Sequence, residues 1–84
     1  MSRHVARGPR STSASRFGAA LAFERGRRCL SMSELARTAG THASEVSRLE
    51  RGLRDPRLST IVRLARALEV PVGRLLEDIE TAAR

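Results

Sequence analysis

The chain has no lysine, no tryptophan and no tyrosine, and its 84 residues include one cysteine and two phenylalanines. Each shortage excludes something. With Phe17 and Phe23 as the only aromatic residues, the stacking platforms on which RNA and single-strand modules seat their bases have almost no raw material. Cys29 stands alone, so no internal disulfide is possible and the redox compartment stays open. Outside the carboxylates, the ligands open to a metal at His42 are His4 and Cys29, too few for a site, and no metal or cofactor is expected. No Ser, His and Asp set, metal-ligand spacing or phosphate loop stands out, which argues against an enzyme. No apolar run approaches the roughly 20 residues that cross a bilayer. The basic start lacks the hydrophobic segment of a secretory signal, and a cytoplasmic location follows as the expectation. Strand alternation and internal repeats are missing too.

What remains is a basic chain that fits one domain with a thin core. The apolar fraction is 40%, enough for a compact helical unit, and the net charge of +7 with a pI near 11.7 favours a polyanionic partner. All sixteen basic residues are arginine. Codon bias explains that usage, and so does selection for guanidinium forks on phosphate and guanine. Residues 1–16 hold four arginines, no acid, and only Met1 and Val5 as large apolar residues. Such a stretch buries too little surface to offset its ordering entropy, so a disordered basic arm is expected there. It reads either as an arm for the phosphate backbone or minor groove, or as a solvated tail.

The helical signals begin after the arm. Ser15 is a candidate cap for a first helix over Phe17–Arg28, with Phe17, Ala20 and Leu21 on one face; Phe23 and Glu24 fit no clean stripe. Ser31 and Glu34 have the spacing of a capping box. Met32, Leu35, Ala36 and Ala39 then give an apolar stripe, and Gly40 closes the second helix. A third helix starts near Thr41 or His42, turns Val46 and Leu49 inward and runs to about Arg51 before Gly52. His42 at its start suits a phosphate contact or a cap, and Glu45 is placed to cap the helix or to accept from a cytosine N4, the cap being preferred. Two short helices joined by a glycine turn form the helix-turn-helix unit, whose second helix enters the DNA major groove. Pro56 then holds Asp55 extended in a loop. Leu58, Ile61, Leu64, Ala65 and Leu68 mark a fourth helix, with Pro71 opening a fifth that carries Val72, Leu75, Leu76 and Ile79 inward. Residues 17–80 are thus read as the domain and 81–84 as a short tail.

The same residues resemble a known family, the Cro and phage-repressor type of helix-turn-helix domain, also called the XRE family. The likeness is carried by Phe17-Gly18, Leu21, Arg25, Ser31 to Ala36, Gly40, Val46 to Gly52, Asp55-Pro56 with Leu58, Thr60-Ile61, Leu64-Ala65 with Ala67-Leu68, and Val70 with Leu75-Leu76. It implies an all-α, lambda-repressor-like bundle of five helices and an ion pair between Arg25 and Glu50. It also implies a reading face of Ala43, Ser44, Ser47 and Arg48. Arg48 is the sharpest candidate, because arginine forks onto guanine O6 and N7. His42, Arg25, Arg51, Arg54 and Arg57 are the candidate backbone contacts, Arg57 at the place that faces the minor groove. Three positions depart from the pattern. Met32 replaces a glutamine that meets phosphate, Cys29 replaces a glycine, and Ser59 replaces an acid.

Function then reads as a sequence-specific regulator of transcription on double-stranded DNA, by repression. A homodimer is expected, because one short helix reads only a few base pairs; Leu76 and Ile79 are its candidate contacts. The alternative is an antitoxin that binds a protein toxin and represses its own operon. An RNA- or membrane-binding basic peptide fits a five-helix core less well.

Overall fold

The computed structural model describes residues 12–82, and within them five helices follow one another: α1 Thr12–Arg27, α2 Met32–Ala39, α3 Ala43–Glu50, α4 Leu58–Leu68 and α5 Val72–Ala82. Helix α1 packs most extensively on α5 and then on α3, while α2 packs on α3 and α4. One core joins them, built on Phe17, Leu21, Leu35, Val46, Leu49, Leu64, Leu68 and Leu75, all fully buried. The fold is the all-α bundle expected.

Local chemistry explains the helix-turn-helix. The Ser31 hydroxyl accepts from the Glu34 N–H at 3.0 Å, and Glu34 Oε1 accepts from the Ser31 N–H at 2.7 Å. The bond from the Ser31 N–H, helped by the nearby Ser31 hydroxyl, favours the ionised carboxylate and holds the Glu34 carboxyl below the usual carboxylate range. At the other end Gly40 takes φ +75°, a left-handed geometry that lets the Thr41 N–H return to the Ala36 carbonyl. Gly52 does the same after α3, at φ +72°.

Three expectations need correction. Helix α1 begins at Thr12, not Phe17, and Ser15 lies inside it rather than capping it. Ala14 is buried three residues before Phe17, so the core stripe extends one turn toward the N-terminus through a residue too small to stand out. Ser15 lies over the turn that ends α3, where a Cβ on Gly52 would come within 2.8 Å of its Oγ. Of the expected arm, residues 1–11 lie outside the described part, as do 83 and 84 of the tail, while α5 runs on to Ala82.

The second correction concerns Glu24. It is 2% exposed and occupies the next buried position of the α1 stripe, whereas Phe23 is 63% exposed. Arg28 donates to its Oε1 at 2.9 Å, and Arg74 of α5 lies 3.6 Å from Oε2. A carboxylate this deep is tolerable because it is paired. Third, Leu58 is 71% exposed, so the core seen by α4 starts at Ile61. Leu76 and Ile79, the candidate dimer contacts, are half-buried against the core of their own chain.

Candidate nucleic-acid interface

Helix α3 has two sides. Val46 and Leu49 are fully buried and fix its rotation on the bundle. Ser44, Ser47, Arg48 and Arg51 fall at i, i+3, i+4 and i+7, which places them along one other face. Ser44, Arg48 and Arg51 are exposed; Ser47 and Ala43 are half-buried. Among the described residues the Arg48 guanidinium has no hydrogen-bond or ion-pair partner, so its fork faces solvent. Arg51 sits at the end of the helix, its Nε only 3.4 Å from the Ser47 carbonyl.

The far end of α3 is locked to α1. Arg25 Nε donates to Glu50 Oε2 at 2.6 Å and Nη2 donates to Oε1 at 2.9 Å, a two-bond fork. Its Nη1 donates to the Leu30 carbonyl at 2.8 Å. Glu50 therefore holds the Arg25 guanidinium above its ordinary pKa, burial opposing the shift. With all three terminal groups engaged, Arg25 orients α3 first and has little freedom to reach a phosphate. The helices also cross closely there: a Cβ on Gly18 would fall against the Leu49 and Glu50 carbonyls, 2.7 Å from the latter oxygen.

The near end differs from expectation. His42 is exposed at the N-cap position and makes no capping bond through its side chain. Glu45 does not cap the helix either. Its Oε1 accepts from Arg54 Nη1 at 2.9 Å, across the loop that follows α3. The two lie nine positions apart in sequence, so no helical spacing announced the pair. His42, Glu45, Arg54 and Arg57, with Thr41, Asp55 and Thr60, line a groove of about 300 Å³ between α3, the loop and α4. Arg57 is exposed at the N-cap of α4. A larger groove of about 470 Å³ lies between α1 and α5, where Arg27 stands 5.9 Å over the Phe23 ring, and it includes none of the residues expected at DNA. Among the described residues no three His, Cys, Asp or Glu side chains gather around a metal-sized space, and no helix is long and apolar enough to cross a membrane.

The geometry defines a helix-turn-helix protein: α2 is capped at both ends, the Gly40 turn follows, and α3 presents polar and basic side chains outward. Residues 22–75 match the helix-turn-helix family, and the chain belongs to it, in its Cro and phage-repressor (XRE) branch. It is a DNA-binding regulator of transcription. Two solved structures share the fold. The restriction-modification controller protein C.AhdI from Aeromonas hydrophila is 35% identical, with a TM-score of 0.72 over 74% of this chain and 94% of that one. A hypothetical transcription factor, NHTF, from Neisseria is 29% identical, with a TM-score of 0.73 over 82% of this chain and 84% of that one. No protein of curated function matches the chain in sequence.

Proposed function

We propose that the protein is a sequence-specific repressor that binds double-stranded DNA as a homodimer in the cytoplasm, each protomer laying α3 in the major groove. The observation that carries this reading is the outward face of α3, with Arg48 exposed beside Ser44 while Val46 and Leu49 anchor the helix beneath. Arg48 takes the base-reading role, with Ser44, Ser47 and Ala43 as lesser readers. Arg51, Arg54, Arg57 and His42 take the phosphate backbone, and Arg25 supports them from α1. The net charge of +7 draws the protein to DNA before any base is read. Likeness to a restriction-modification controller and to a transcription factor supports a regulatory role. Repression is the simplest output of such binding, because a protein seated on a promoter blocks it.

Selection of bound duplexes from a random pool tests the proposal. The expected result is an inverted repeat whose half-sites lie one helical turn apart. Absence of enrichment, together with capture of a toxin encoded beside the gene, moves the protein to the antitoxin reading.

A further inference from the structure

A carboxylate on the DNA-facing helix is costly, because it meets a wall of phosphates. Glu45 is the third residue of α3, and its side chain is 21% exposed. Such a group has three uses: to cap its own helix, to accept from a base, or to hold another side chain. The structure shows the third. The Glu45 carboxylate takes one edge of the Arg54 guanidinium at 2.9 Å. The other edge, with Nε and Nη2, has no partner among the described residues, and the Arg54 side chain is half exposed. Arginine carries its donors in one rigid plane, so fixing one edge aims the other.

We infer that Glu45 is a positioning residue: it holds Arg54 so that the free edge of the guanidinium meets a backbone phosphate beside α3. The inference rests on the DNA-binding reading above and adds to it a function for an acid on the binding face. The restraint exists before DNA arrives. Ordering a long side chain costs entropy, and a pair already formed in the free protein removes most of that cost from the binding step. The pair also neutralises the one carboxylate of α3 that lies in the groove with His42 and Arg57.

The test uses the duplex enriched by the wild-type protein and measures affinity by fluorescence anisotropy over a salt series. The proteins are wild type, Glu45→Ala, Glu45→Gln, Arg54→Ala and the double alanine variant. Glu45→Ala should bind up to about tenfold more weakly, the size of one charge-assisted contact. Its salt slope should approach that of Arg54→Ala. Glu45→Gln keeps an acceptor oxygen at the same reach and should recover part of the loss. In the Arg54→Ala background, removing Glu45 should cost nothing more, and base preference should be unchanged throughout. Tighter or unchanged binding by Glu45→Ala overturns the inference, as does an equal loss in both backgrounds. A loss confined to one base position makes Glu45 a base reader and overturns it too. Neither side chain is in the core, and a circular-dichroism melt checks that each variant is folded. A wild type that enriches no duplex overturns both readings; a wild type that binds while Glu45→Ala is neutral overturns this one alone.

Discussion

Cys29 shows how one residue marks a family position. It takes φ +55°, the left-handed geometry that lets the Leu30 N–H return to the Arg25 carbonyl. Glycine stands at this place in the family pattern, and here a side chain bears the strain. That geometry costs an L-residue about 1–2 kcal/mol, and glycine returns roughly 0.5–1 of it through its freer unfolded chain. Cys29→Gly should therefore stabilise the protein by about 0.5–1 kcal/mol, read as a rise in the denaturant midpoint at constant slope. No rise would mean that the exposed thiol side chain offsets the strain. The two arginines proposed to meet DNA, Arg48 and Arg57, separate at the same scale. Arg48→Ala should relax one base preference by about 1–3 kcal/mol while leaving other positions alone. Arg57→Ala should weaken every duplex alike and reduce the salt slope by about one. Equal loss on all base variants would assign Arg48 to phosphate.

At the scale of elements, the crossing of α1 and α3 sets how precisely the outward face of α3, the proposed reading face, is held. Gly18 lies against the backbone oxygens of Leu49 and Glu50, which have no side-chain freedom to retreat. Gly18→Ala should push the helices apart and destabilise the fold by about 1–3 kcal/mol or more. Because the shift falls on the end of α3, DNA affinity should fall even where the variant is still folded, measured below its melting range. The α2 cap gives a pH test. Glu34 has a depressed folded pKa, so its contribution is present above the unfolded pKa and is lost as pH falls through the folded one. The stability gap between wild type and Glu34→Gln should shrink as unfolding is moved from neutral pH to below that folded pKa. A gap that persists in acid would assign the effect to the side chain's bulk rather than its charge. What was legible in the sequence follows the same divide. The Ser31–Glu34 box, the Gly40 turn and buried Val46 and Leu49 were readable because their partners lie within a turn or two. Arg25 and Glu50, 25 residues apart, came only with the family resemblance. Buried Glu24 sits on the α1 stripe but is charged, so an apolar pattern passes over it, and one of the partners that make its burial tolerable, Arg74, lies on another helix. The Glu45–Arg54 pair and the early start of α1 were missed for related reasons: a pairing across a loop has no period, and Ala14 is too small to mark a core position.

At the scale of the whole molecule, α3 is eight residues long, a rise of about 12 Å. A helix of that length touches a few base pairs of one major groove, too few to define a site in a genome. Charge does not solve this, since a chain of net +7 attracts every phosphate alike. Two copies related by a two-fold axis do, provided their recognition helices enter successive major grooves on the same side of the duplex. The spacing is then a mechanical constraint of about 34–36 Å. Inserting about five base pairs between the half-sites rotates one of them to the opposite face, and affinity should collapse toward that of a single half-site. Inserting a full turn should restore part of it only if the protein contact can stretch. Sedimentation of the protein with the intact, half-turn and full-turn duplexes reads stoichiometry beside affinity. Two protomers on the intact duplex and one on the half-turn duplex is the expected pattern. Undiminished binding of two protomers to the half-turn duplex would show that each reads its half-site alone, and specificity would then rest on α3 and the Arg54 to Arg57 loop without a partner.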